Sequence, residues 1–115
     1  MNTISEIYSL LNKLIDNNTP IIVEGKKDKA ALKALGAKNI ITLCPTYQLV
    51  ESLSQEKEVA ILVDLDSEGR KIYHKLKDEF SRRGIKVNDK LRLFLFKNTK
   101  LRQIEGLTKY LIKMD

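Results

Sequence analysis

At 115 residues, with hydrophobic residues at 43% and charged residues at 31%, the chain has the size and composition of one ordinary folded domain with a real core, residues 1–115, which excludes a disordered segment. Lysine and arginine total 21 against 15 acidic residues, a formal charge of +6; that favours a polyanionic partner, the plainer alternative being a lysine-rich solvated surface. No apolar run approaches a membrane span, no cationic-then-apolar leader opens the chain, and the single Cys44 cannot build a disulfide framework, so a cytoplasmic protein with no membrane association is expected.

Thr3-x-x-Glu6 has capping-box spacing, and Ile4, Ile7, Leu11, Leu14 and Ile15 recur at helical period, predicting an amphipathic helix over 3–16 that Asn17-Asn18-Thr19-Pro20 ends. Ile21-Ile22-Val23 is β-branched and wholly apolar, as in a parallel strand covered on both faces, and Glu24-Gly25 stands at its carboxyl end. A helix over 26–35 follows, stopped by Gly36; then a short strand over 39–43, a short helix over 46–54 and a third strand over 58–63. The acidic stretch DLDSEG, 64–69, closes that third strand. Ile72, Tyr73, Leu76 and Phe80 share one face of a helix over 69–83, with Gly84 as its stop. The hexamer LRLFLF, 91–96, is taken as the fourth strand, and Leu101, Ile104, Leu107 and Leu111 mark a last helix capped near Asn98 or Thr99.

Strands alternating with helices imply an α/β fold with right-handed crossovers and a central four-stranded parallel sheet flanked by helices, a Rossmann-like arrangement with extra N-terminal and C-terminal helices. In such sheets the working site lies beyond the carboxyl ends of the strands. Glu24, Asp64, Asp66 and Lys97 all fall at predicted carboxyl ends.

Residues two apart on an extended segment point to the same side with Cα atoms roughly 6.5–7 Å apart, so Asp64 and Asp66 can bracket one small site. Gly69 would let the chain turn tightly into the next helix, and Glu24 offers a third carboxylate from another strand. Three converging carboxylates repel one another, and a divalent cation relieves that. Mg²⁺, with Mn²⁺ as the alternative ion, takes one or two carboxylates and completes its shell with water and phosphate oxygens. A solvated turn with a helix-capping acid is the competing reading of D-x-D alone.

The stretch "IIVEGKKDKAAL" followed about forty positions later by "VAILVDLDSEGRKI" resembles the Toprim domain shared by topoisomerases, bacterial-type primases and small ribosomal-RNA-maturing ribonucleases, over roughly residues 20–97. The resemblance implies a metal-dependent phosphoryl-transfer site in which Glu24 is the general acid or base or a metal ligand, and Asp64 and Asp66 are metal ligands. Gly25 and Gly69 match the turn glycines. Asp28 matches a further acidic position of the first motif, with helix capping as its alternative. The tyrosine nucleophile and extra domain of topoisomerases have no counterpart, and one Cys with one His cannot form the zinc module of primases. The size and motif form are most similar to the small ribonucleases, and Glu105 stands in a stretch loosely similar to a later acidic motif of theirs, with a solvent-facing helix residue as its other reading.

The expected activity is Mg²⁺-dependent phosphodiester hydrolysis by a small nuclease acting on structured RNA or DNA, the alternative being a non-catalytic, metal-organised nucleic-acid-binding or assembly module with a protein partner or homodimer. Lys26, Lys27, Arg70, Lys71 and Lys97 are the candidate phosphate contacts. Aromatics, at 6%, are too few for a base-stacking platform, and His74 reads as a surface residue. A HAD-type phosphatase also begins with D-x-D, but Glu68 occupies the place of its usual Thr or Val. A response-regulator receiver would need a fifth strand carrying a lysine.

Overall fold

The computed structural model describes residues 2–114. Helix α1 (Thr3–Asp16) buries Ile7, Leu11 and Leu14, the stripe its spacing predicts. Its cap is Asn2, whose side-chain oxygen accepts from the Ser5 amide at 2.7 Å, so Thr3 is the first helical residue and not the cap. Then come β1 (Ile21–Val23), α2 (Lys26–Ala34), β2 (Ile40–Thr42), α3 (Thr46–Ser52), β3 (Glu58–Ile61) and α4 (Ser67–Arg82). Gly36 and Gly84 stop α2 and α4 in the left-handed region, at φ 100° and 74°.

The fourth strand is not the hexamer at 91–96. It is β4 (Lys86–Asn88), entered directly from the Gly84 turn and paired with β3 in the register Glu58↔Lys86, Val59↔Val87, Ala60↔Asn88. The hexamer lies inside α5 (Lys90–Asn98). A strand would have turned Leu91, Leu93 and Leu95 to one face; the helix instead buries Leu91 and Leu95, four apart, and leaves Leu93 and Phe96 exposed. With every position apolar except Arg92, the hexamer carries no period that separates the two. The last helix is also shorter than expected. A single 3-10 turn, Ile104–Gly106, precedes α6 (Leu107–Met114). Thr99 closes α5 instead of opening the last helix: its hydroxyl donates to the Leu95 carbonyl at 2.7 Å and accepts from the Leu101 amide at 3.1 Å.

All four strands are parallel, in the order β2-β1-β3-β4. Side chains alternate across this sheet and feed two cores. Ile21, Val23, Ala60 and Leu62 pack with α1, α2, α5 and α6; Ile22, Val59, Ile61 and Val63 pack with α3 and α4. The chain thus forms an α/β sandwich with helices on both faces. Among the described residues no helix is long and apolar enough to cross a membrane.

Candidate metal and nucleic-acid site

From β1 the chain crosses to β2 on one side, and from β3 to β4 on the other, so the winding direction reverses between β1 and β3. Two crossovers diverging from adjacent strands leave a crevice above their carboxyl ends. Glu24 follows β1 directly. Beyond β3 the backbone stays extended, the Leu62 amide donating to the Ile22 carbonyl at 2.8 Å, and this carries Asp64 to the same level. There the Asp64 amide donates to Glu24 Oε1 at 3.3 Å.

Each acid is anchored by a backbone amide. Asp64 Oδ1 accepts from the Ile104 amide at 2.8 Å, which seats the 3-10 turn on the site. Asp66 is the N-cap of α4, its Oδ1 accepting from the Gly69 amide at 2.8 Å. Gly69 is required by contact: a Cβ there would stand 1.9 Å from the Asp64 carbonyl oxygen. Asp28, 7% exposed, accepts from the Gly25 amide at 3.0 Å, so its capping role is real while its carboxylate also lines the cleft beside Glu24. Burial raises the Glu24 carboxyl above its ordinary value, Asp64 adds to this, its amide bond partly offsets it, and Asp66 and Asp28 push further upward. Asp28 is raised too, by burial first, with Asp64 and Glu105 adding to it against its bond from Gly25.

The acids divide between two neighbouring clefts. Glu24, Asp28 and Asp64 line one, with Lys26, Lys27, Gln103 and Glu105 at its walls. Asp66 opens onto the other, between α4 and α5, with Arg70, Tyr73, Arg92, Phe96 and Lys97. The structure therefore brings Glu24 and Asp64 to one cleft and places Asp66 in the neighbouring one, so the three acids do not surround a single pocket. Among the described residues, no three acidic, histidine or cysteine side chains converge as a ready ligand set. The donor set still suits Mg²⁺. Among the described residues Glu24, Asp64 and Asp66 each have one oxygen engaged by an amide and a second that receives no protein hydrogen bond. One or two such oxygens with water is the shell Mg²⁺ prefers.

The basic candidates separate as well. Lys26 and Lys27 are exposed beside the acidic cleft, and Arg70 and Lys97 line the second. Lys97 does so from the last turn of α5, not from a strand end. Lys71 is exposed, 3.6 Å from Glu68, and lines neither. Glu105 is exposed, as expected of a solvent-facing residue, but its 3-10 turn brings it to the acidic cleft. His74 is exposed on the second cleft.

Arg92 is the residue the sequence reading missed. It is 6% exposed, donates from Nε to the Val63 carbonyl at 3.3 Å and from Nη2 to the Asp64 carbonyl at 2.8 Å, and lies 4.7 Å over the Tyr73 ring. Burial lowers its pKa, while Tyr73, Asp66, Glu24 and Asp89 favour its charge. It thus clamps the strand end that presents D-x-D. Behind it the Tyr73 hydroxyl donates to Asp89, and Lys77 donates to Tyr73 at 3.1 Å and to Asp89 at 3.3 Å. The available signal was one arginine inside an apolar hexamer, since a buried charge persists only where fixed partners await it.

The family model for the Toprim domain matches residues 19–97. A UPF0292 protein of Methanocaldococcus jannaschii is 40% identical over 108 residues, covering 88% of this chain and 84% of that protein. Another, from Methanosarcina barkeri, is 33% identical over 123 aligned positions, covering 99% and 84% respectively. Among solved structures, a protein from Aquifex aeolicus superposes with a TM-score of 0.80 at 35% identity, over 89% of this chain and 95% of that one.

Proposed function

Because this chain belongs to the Toprim family, whose domains typically bind Mg²⁺ and have metal-dependent enzymatic or binding roles on nucleic acid, we propose that it is a Mg²⁺-dependent nuclease acting on structured RNA or DNA. The observation that carries this reading is the meeting of Glu24 and Asp64 at the reversal of the sheet, joined by the 3.3 Å bond from the Asp64 amide. Asp64 and Asp66 would hold the cation through their free oxygens, and the chemistry it would supply is neutralisation of a phosphate oxygen and activation of water. Glu24, whose carboxyl is pushed upward by burial and by Asp64, accepts the proton of the attacking water. The water oxygen bonds to phosphorus, the bond to the leaving oxygen breaks, and that oxygen takes its proton from solvent. Lys26 and Lys27 hold flanking phosphates on the rim of this cleft.

The spread of the acids over two clefts favours one competing reading, a metal-organised binding or assembly module without chemistry. One assay separates them: labelled structured RNA and single- and double-stranded DNA incubated with Mg²⁺, Mn²⁺ or EDTA. A nuclease cuts with metal and stops cutting as Asp64→Asn. Wild type that binds but never cuts sinks the enzyme reading.

A further inference from the structure

We propose that the cleft between α4 and α5 is a slot for one unpaired nucleotide of the nucleic-acid strand, its base stacked on Phe96 and its phosphate held by Arg70 and Lys97. This rests on the nucleic-acid reading above and adds which part of the substrate is recognised. Phe96 is 52% exposed on the cleft, in a chain whose other two phenylalanines are buried or half-buried. An exposed ring gains little from folding but offers a face for a base. Arg102, which is not part of the cleft lining, lies 5.3 Å from the ring centroid over one face, so a base would stack on the other.

The charge around the ring fits the same occupant. Lys77 is already bound to Asp89 and Tyr73. Arg70 and Lys97 make no ion pair among the described residues, so they are the lining cations left for an anion. Buried Arg92 uses Nε and Nη2 on carbonyls, and its Nη1 donors take no protein partner among the described residues. That leaves a fixed polar group in the cleft for a base edge or phosphate. Asp66 lines the cleft too, so a nucleotide held there adjoins a residue that would hold the metal in the proposed function. The cleft volume, ≈ 670 Å³, lies within the ordinary range for a small-ligand site. The base must be unpaired, because a stacked and paired base presents no free face. A low aromatic content rules out a platform for successive bases but not a slot for one.

The test is equilibrium binding in EDTA, where nothing is cut, of a single strand carrying one 2-aminopurine and of a blunt duplex. The expected result is quenching of 2-aminopurine on binding to wild type. Phe96→Ala should abolish the quenching and weaken the single strand about 5- to 100-fold more than the duplex, while Phe96→Trp restores both. Quenching that survives Phe96→Ala, or an equal loss for both ligands, overturns the slot and leaves nucleic-acid binding standing. So does a Phe96→Ala protein that changes only its oligomeric state in sedimentation, which would assign the ring to a protein contact. Wild type that binds neither ligand, either in EDTA or with Mg²⁺ added, overturns the nucleic-acid reading itself.

Discussion

Gly69→Ala tests whether the turn into α4 is shaped by the D-x-D strand end. The added methyl would lie 1.9 Å from the Asp64 carbonyl oxygen, 2.6 Å from its carbon and 3.1 Å from its Cα, all backbone atoms that no rotamer change can move. Ordinary Cβ contacts begin at 3.4 Å, so the two backbones must part by about 1.5 Å. That same oxygen accepts from Arg92 at 2.8 Å, and the Gly69 amide donates to Asp66 at 2.8 Å, so both bonds stretch with the shift. Overpacking of this kind costs about 1–3 kcal/mol, with the strained hydrogen bonds adding about 1 kcal/mol, while alanine returns up to about 1 kcal/mol of helix propensity. A net loss of about 2 kcal/mol lowers the melting temperature by roughly 10 °C in a domain of this size. Metal-dependent cleavage should fall further, by about 100-fold, because displacing a reacting constellation by 1 Å costs that much. Thermal melting in EDTA and initial cleavage rates in Mg²⁺ measure the two effects. Gly84→Ala is the control: its φ of 74° is strained for alanine but nothing lies within 4 Å, so about 1 kcal/mol of stability is lost with no effect on cleavage. A Gly69→Ala protein that melts like wild type and cleaves normally would refute the close-approach argument.

Asp64→Ala and Asp64→Asn should both abolish cleavage, but Asn keeps an acceptor for the Ile104 amide, so urea unfolding should find Ala less stable than Asn by about 1 kcal/mol. Asp66→Asn should retain the α4 cap and melt near wild type, whereas Asp66→Ala loses about 1 kcal/mol; equal melting of the two would deny Asp66 its capping role. Arg92→Lys keeps a charge but not the fork that reaches two carbonyls, and should lose about 2 kcal/mol in denaturant titration together with cleavage. Glu24 has a folded pKa above the ordinary 4.5, raised by burial and then by Asp64, so the native state holds its proton more tightly than the unfolded chain. Its stabilising contribution is complete below 4.5 and is lost as pH rises through the folded value. Unfolding titrations in EDTA across that window should therefore show a steeper loss for wild type than for Glu24→Gln, and parallel profiles would contradict the assignment.

Much of the fold was legible because its signals are local. The Ile21-Ile22-Val23 strand, the α1 and α4 stripes and the glycine stops each follow from a few consecutive residues, and Glu24, Asp64 and Asp66 could be placed at strand ends from those alone. The hexamer at 91–96 failed for the complementary reason. A run apolar at nearly every position has no period, and its helical state depends on α1 accepting Leu91 and Leu95 while β4 fills the sheet edge beside β3. Lys97 moved with it, from a strand end to the wall of a cleft.

The sequence by itself determined the alternation of strands and helices, the parallel sheet and the acids at its carboxyl ends, because periodicity, capping and turn chemistry act over a few residues. Tertiary structure alone decided how the acids divide between two clefts, that Arg92 clamps the D-x-D backbone, that the Ile104 amide binds Asp64 and that Phe96 stands beside Arg70 and Lys97. Those relations join residues 28 to 40 positions apart or elements on opposite faces of the sheet. They arise only when burial against the two cores fixes where each helix lies, and no local propensity encodes that.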